Sequence, residues 1–561
     1  MFYRNILIAA VFIWGLSPSA TAQSSKPVAE ESCQADPPNQ RSPEIVITDG
    51  GLVRGSHAGD THSFKGIPYA APPVGALRWK GPQPVPCWSG VRDALEFGSP
   101  CAQLGTPPGS TMTWFGSEDC LTLNIWTPAM SFERDRLPVM VFVHGGGNTR
   151  GSGSASVPTS VPFIGPNVQD GQRLAELGRA VVVTINYRLG FLGWLAHPAL
   201  SKASDTGTSG NYGLQDQLAA LKWVRRNIPH FGGNPRRVLV FGQSSGGRDV
   251  CALLASPWAR GLISRAGIIS SSCENLPTSQ QAEDVGVQYA SSLGCATAAD
   301  VLGCMRGVPT EVAVRASVTQ PPRFQGFQLG PMVDGFIVGA QPLTVFRSPL
   351  YMPVPVHISS TANEVAFSLF PLYWPGPVAT ANDYASAVIT LAPPQLVADI
   401  LSLYPVSNYP TPRAALTALL SDVQLLCPSR RAARALAAAG QPVWRSIWLQ
   451  TESNGPLQPI GPGHVTDLPY WFDNLATMPS FTPSASESAL AQSMALYLAN
   501  FARTGDPNHA GALAWPAFTM PDAAELRLDD RPTVGSAFRN SFCDFWDARM
   551  PPPGYQGTDH D

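Results

Sequence analysis

Ten residues constrain this chain more than any others. Val238-Leu239-Val240-Phe241 is an apolar run of strand type, Gly242-Gln243-Ser244-Ser245-Gly246-Gly247 follows at once, and a helix-like pattern, Gly246–Ala255, begins inside it. A chain that leaves a buried strand and enters a helix within so few residues has little freedom. The turn is tight enough that its flanking positions must be glycine, and the residue at its apex stands exposed on strained backbone. Here that residue is Ser244, a hydroxyl held over a helix N-terminus whose positive end stabilises developing negative charge. G-x-S-x-G alone is common in a chain with 51 glycines; the strand before it and the helix after it give it meaning.

A second strand ends the same way. Val139-Met140-Val141-Phe142-Val143 runs into His144-Gly145-Gly146-Gly147. Backbone N–H groups can point at a substrate oxygen only where side chains do not intrude. Gly146 and Gly147 are the expected donors, with the N–H of Ser245 as a third. No G-K-[ST] follows the glycines, so this is no phosphate loop.

Further buried-strand patterns lie at Ala180–Ile185, Ala266–Ile269, Val354–Ile358 and Val443–Leu449. Helical patterns at Gly213–Arg226, Gln281–Leu293, Arg430–Ala439 and Glu487–Arg503 alternate with them. The alternation implies an α/β fold, with a large mostly parallel central sheet flanked by helices. Shorter alternating runs between Glu44 and Trp126 suggest an N-terminal antiparallel edge meander. No linker divides the chain, so residues 44–548 read as one domain. Residues 23–43 and 549–561 read as flexible ends.

The N-terminus has Arg4, an apolar stretch from Ile6 to Leu16 and the small-residue site Ala20-Thr21-Ala22. This is the pattern of a signal peptide, residues 1–22, and the apolar stretch is short for a membrane span. No later segment is apolar enough to span a bilayer. All ten cysteines follow the leader, an even count that suits an oxidising compartment. No N-x-S/T sequon occurs, which favours bacterial export, periplasmic or secreted, over eukaryotic secretion. With 37 basic and 40 acidic residues, the chain is no basic nucleic-acid binder. No metal-ligand spacing is present, and no metal or cofactor is implied.

These residues resemble the type B carboxylesterase and cholinesterase-like family of α/β-hydrolases. The resemblance runs through Phe64-Lys65-Gly66-Ile67-Pro68-Tyr69-Ala70, Glu118-Asp119-Cys120-Leu121-Thr122-Leu123-Asn124-Ile125, and Asn186-Tyr187-Arg188-Leu189-Gly190. It continues through Asn211-Tyr212-Gly213-Leu214-Gln215-Asp216-Gln217, Phe231-Gly232-Gly233-Asn234-Pro235 and Gly505-Asp506-Pro507. It implies a serine esterase acting on small-molecule carboxylic esters, and the leader makes it an exported one.

In α/β-hydrolases the triad order is Ser, acid, His. His464, His509 and His560 lie far enough along the chain. His560 is in the tail and His509 in a polar turn. His464, in Gly461-Pro462-Gly463-His464 before Leu468-Pro469-Tyr470-Trp471-Phe472, resembles the family's histidine loop. Glu364, closing Val356-His357-Ile358-Ser359-Ser360-Thr361-Ala362-Asn363-Glu364, resembles its triad glutamate, although Val365 follows where Gly is usual. Asp334 and Asp467 are rivals better suited to structural hydrogen bonds.

The resemblance also pairs Cys101 with Cys120, Cys295 with Cys304, and Cys427 with Cys543. Cys33–Cys87 is a plausible fourth bridge. Cys251 reads as a buried free thiol, with a Cys251–Cys273 pairing as the alternative. Gln243 stands where cholinesterases carry Glu, and the Cys101–Cys120 loop is shorter than theirs; both argue against a choline ester. Asn148 follows the glycine run where an aromatic residue is common, which suggests a more polar pocket wall. Arg150 and Arg248 are either a surface residue and an internally paired one, with Asp249 or another acid as partner, or one or both bind a carboxylate on the acyl or alcohol part of the substrate. The second option would suit esters of polycarboxylic or aromatic acids. The rival functions are a lipase for longer acyl chains and a non-catalytic adhesion or binding protein; the intact Ser244, Glu364 and His464 weigh against the last.

Overall fold

The computed structural model describes residues 44–552 apart from 106–111, 129–135, 155–167, 317–327, 349–350 and 367–368. The leader (1–22), the segment 23–43 with Cys33, and tail residues 553–561 lie outside the described residues.

The strands, in chain order, are β1 (Ile45–Thr48), β2 (Gly51–Arg54), β3 (Ser56–Ala58), β4 (Thr61–Pro68), β5 (Val91–Asp93), β6 (Gln103–Gly105), β7 (Thr113–Phe115), β8 (Thr122–Pro128), β9 (Leu137–Val143), β10 (Val181–Ile185), β11 (Gly233–Gln243), β12 (Arg265–Ile269), β13 (Val356–Thr361), β14 (Val443–Trp448), β15 (Ala524–Leu528) and β16 (Thr533–Ser536). Eleven form one sheet in the order β16-β15-β14-β13-β12-β11-β9-β10-β8-β4-β3. All neighbours from β10 to β15 pair in parallel, while both ends of the sheet turn antiparallel.

The continuous apolar runs have a simple cause: the central strands are buried on both faces. Because side chains alternate across a strand, Val139, Val141, Val143, Val238 and Val240 enter one apolar layer. Met140, Phe142, Leu239 and Phe241 enter the other. The Ser245–Ala255 helix contributes Val250, Leu253 and Leu254 to the first layer. The Ala485–Thr504 helix closes the second with Leu490, Met494 and Leu498.

The edge meander expected between Glu44 and Trp126 is divided. Only β3, β4 and β8 join the large sheet; β1-β2-β5 and β6-β7 are separate small sheets, and β2 pairs with β5 in parallel. Trp88 is the physical cause. Its indole lies over Gly50 and Gly51, where no side chain intervenes, and its Nε1–H donates to Leu52 O at 2.9 Å. That contact draws the Val91–Asp93 segment alongside β2.

The bridges Cys101–Cys120, Cys295–Cys304 and Cys427–Cys543 are all formed. The reading of Cys251 as a free thiol is corrected: it is bonded to Cys273. Since β12 lies beside β11, the helix leaving β11 brings Cys251 against the segment leaving β12, with a Cα–Cα distance of 5.3 Å, within bridging range. Cys87 is also disulfide-bonded; Cys33, the partner expected for it, lies outside the described residues.

Candidate active site

β11 ends at Gln243 and the helix begins at Ser245, leaving Ser244 alone at the apex with φ 58° and ψ −127°. A non-glycine residue in this region is strained, and such strain gathers at functional sites. The close approach explains the glycine at 246: a Cβ there would collide with the carbonyl of Val143, at the end of β9. Gly145 makes the reciprocal contact, since a Cβ on it would lie 2.9 Å from Ser244 Cβ. The two glycine-flanked turns therefore sit against each other, with Gly145 beside a partly exposed Ser244.

Glu364 and His464 come from the loops after β13 and β14, neighbouring parallel strands. A bridge between Asn363 and Gly463 joins those loops directly. His464 Nδ1–H donates to Glu364 Oε2 at 2.7 Å, and Glu364 Oε1 accepts the Thr361 N–H at 2.8 Å. Both side chains are buried. This fixes the tautomer, leaving Nε2 as an acceptor. Nε2 faces the Ser244 turn, where the Gln243 amide donates to it at 3.2 Å. No hydrogen bond joins Ser244 to His464 among the described residues; bonds of this kind often tighten only with substrate in place. Val365, the departure from the usual Gly, is accommodated because its side chain enters an apolar cluster with Phe370 and Tyr384, and its N–H donates to Ser421 Oγ at 2.9 Å.

The rival residues hold structure. Asp334 Oδ1 accepts the N–H groups of Phe336, Ile337 and Val338, the signature of a carboxylate closing a turn. Asp467 is fully buried and accepts the Trp471 indole N–H at 3.0 Å; burial and then the nearby Glu364 charge push its pKa up to about 7. His509 faces its neighbour's carbonyl and the Tyr497 ring.

The three residues suggested for substrate contact divide differently. The expectation for Asn148 is corrected: it is completely buried, its φ is +57°, and its side chain turns inward to donate to Asp249 Oδ1 at 3.0 Å. The expected internal ion pair of Arg248 is also corrected. Its guanidinium donates to Asn275 O at 2.9 Å and to Gln328 Oε1, both neutral, while Asp249 takes amides from Asn148 and Gln217 instead. Arg248 nevertheless lies one helical turn from Ser244, and its N–H donates to Ser244 O. Arg150 is half-buried; its N–H donates to Gly146 O at 3.2 Å, and its side chain makes no hydrogen bond or ion pair among the described residues.

Sequence reasoning named Asp249 only as a partner for Arg248 and gave it no role of its own. Burial pushes its pKa up to about 7, against the opposing effect of the two amide hydrogen bonds and the Arg248 charge. The available signal was an acidic residue in an otherwise apolar helix, Val250-Cys251-Ala252-Leu253-Leu254. Among the described residues, no cluster of three or more His, Cys, Asp or Glu could hold a metal ion. The chemistry open to this arrangement is nucleophilic: a hydroxyl, a carboxylate-oriented imidazole and a glycine-lined backbone.

A carboxylesterase family model matches residues 42–546. Fumonisin B1 esterase of Sphingopyxis macrogoltabida is 34% identical, with 91% of this chain and 89% of that protein covered. Pyrethroid hydrolase Ces2e of Rattus norvegicus is 33% identical, with 92% of each covered. Para-nitrobenzyl esterase of Bacillus subtilis is 31% identical, with 88% of this chain and 96% of that protein covered.

Proposed function

The chain belongs to the carboxylesterase family and is a carboxylic ester hydrolase, and from that premise we propose that it is an exported serine enzyme using Ser244, Glu364 and His464. The observation that carries this reading is the 2.7 Å contact between buried Glu364 and His464 Nδ1, which turns Nε2 toward the nucleophile turn. His464 takes the Ser244 proton as the hydroxyl attacks the ester carbonyl. The N–H groups of Gly146, Gly147 and Ser245 hold the oxyanion. The alcohol leaves with a proton from His464, and water, deprotonated by the same base, releases the acid from Ser244. Glu364 orients the imidazole and supports its positive charge.

The substrate reading is an ester whose acid part carries a further carboxylate or an aromatic ring. Its support is Arg248, a buried guanidinium one turn from Ser244 whose hydrogen bonds go to neutral acceptors. Export is supported by the disulfides, which persist in oxidising compartments. No helix among the described residues is long and apolar enough to cross a membrane.

A panel of p-nitrophenyl esters from acetate to palmitate, extended with polycarboxylate and aromatic esters, fumonisin B1 and a pyrethroid, tests the reading. Ser244→Ala abolishes all turnover, and retained activity overturns the mechanism. Arg248→Gln lowers kcat/KM selectively for acid-bearing esters; an equal effect on neutral esters overturns the substrate class. N-terminal sequencing of exported protein should begin at Gln23.

A further inference from the structure

The loop carrying Gly146 and Gly147 is held by a side chain that the mechanism above does not use. Asn148, the next residue, has every polar function engaged. Its N–H donates to Ser245 Oγ at 3.0 Å, and its carbonyl accepts the Gly190 N–H at 2.7 Å. Its Oδ1 accepts the Tyr187 hydroxyl at 3.2 Å, and the same hydroxyl lies 2.6 Å from His144 O at the start of the loop. Its Nδ2 donates to Asp249 Oδ1 at 3.0 Å, and Asp249 Oδ2 accepts the Gln217 amide at 2.6 Å. We propose that Asp249 is a positioning residue for the oxyanion-binding loop, acting through Asn148. The proposal rests on the serine-esterase reading, because it concerns the donors that reading assigns.

Two physical arguments carry it. First, Asn148 is in the left-handed region, with φ +57°, and such a residue persists only where its surroundings over-determine it. Asp249 is the anchor at the far end of its side chain. Second, Asp249 is completely buried and no cation forms an ion pair with it among the described residues. A buried carboxylate without a counter-ion is costly. Arg248, the adjacent cation, turns to Asn275 and Gln328. The two oxygens of Asp249 instead hold two amides, one of which fixes the glycine loop. Asn148 then ties that loop to Ser245, whose own N–H is the third donor. The donors from the loop and from the nucleophile helix are thereby set at one spacing. Misplacing a catalytic group by about 1 Å can cost about 100-fold in rate.

The test uses Asn148→Gly, which keeps the left-handed backbone accessible and removes only the anchor, beside Asp249→Ala and Asp249→Asn. Active sites are counted by stoichiometric labelling with a fluorophosphonate, so that kcat refers to folded enzyme. Asn148→Gly and Asp249→Ala should lose about 10- to 100-fold in kcat, with KM changed less than about threefold. Affinity for a trifluoromethyl ketone, which forms the tetrahedral adduct, should fall by the same factor as kcat. Asp249→Asn, which can still accept from Asn148, should recover part of that loss. Unchanged kcat per labelled site in both Asn148→Gly and Asp249→Ala overturns the proposal, even if fewer sites are labelled, because Asp249 then serves folding alone. Unchanged ketone affinity overturns it as well. A Ser244→Ala enzyme that keeps turning over would instead overturn the underlying mechanism, so the two failures are told apart.

Discussion

Buried charge is handled in two opposite ways in this molecule. Beneath the C-terminal helix, Asn540–Arg549, charges come in matched sets. Arg430 reaches Asp544 and Asp547 at 2.7 Å each, and Arg431 reaches Asp547 at 2.6 Å and Glu274 at 2.5 Å. Around Ser244 the buried charges lack such partners. Asp249 rests on two amides, Asp467 on one indole, and Arg248 on a carbonyl and a glutamine. Matched charges at good geometry hold a segment in place, and losing one partner is what costs stability. Unmatched charges shift in pKa instead, and Asp249 and Asp467 are both pushed up to about 7. The first arrangement secures a terminus, whereas the second accepts a desolvation cost next to Ser244, the proposed nucleophile.

This contrast can be broken at several points. The largest effect belongs to the nucleophile: Ser244→Ala should lower kcat by roughly a millionfold with no loss of folded protein by circular dichroism. On the paired side, replacing both Cys427 and Cys543 by Ser opens a closure of 116 residues. That should cost about 4–5 kcal/mol in urea unfolding, with activity per folded molecule unchanged. Arg430→Met should cost about 1.5–3 kcal/mol, because Asp547 loses one of its two guanidinium partners and keeps Arg431, again without changing kcat. If Arg430→Met instead lowers kcat at full folding, the division into holding and reacting charges fails.

The most gradual effect is in the pH profile. The pKa of Asp249 is raised in the folded chain, so between its ordinary value, near 4, and about 7 the folded state binds more protons than the unfolded state. Its contribution to stability is therefore complete below about pH 4 and lost as pH rises toward 7, by at most about 1.4 kcal/mol per pH unit. Asp249→Asn should flatten this part of the wild-type curve when unfolding is followed from pH 4 to pH 8. An unchanged slope would show that the folded carboxyl ionises at an ordinary pH.

Local pattern made much of this fold legible. The strand, tight turn and helix around Ser244 follow from apolar residues and glycines adjacent in sequence. The same holds for β9 and its glycine run. The β13 and β14 strands were equally readable, and the structure brings the Glu364 and His464 loops together because those strands are neighbours. What could not be read depends on contacts between distant segments. The Cys251–Cys273 bond requires β12 to lie beside β11, which cysteine spacing does not encode. The Asn148–Asp249 contact requires a loop to fold back over a helix begun about a hundred residues later. The division of the N-terminal strands turns on one indole over two glycines. Residue type suggested pairing Arg248 with adjacent Asp249; helix geometry instead points their side chains to different partners.

The parallel pairing of β13 with β14 has a consequence for how this protein can change. Between β12 and β13 the chain makes a long helical excursion, and it makes another between β13 and β14. Neither excursion sets the spacing of Glu364 and His464; the backbone ladder beneath them and the Asn363–Gly463 bridge do. The excursions can therefore drift, lengthen or be exchanged while hydrolysis is preserved. A mutant library confined to the surface residues of those two excursions should leave the Glu364–His464 contact intact.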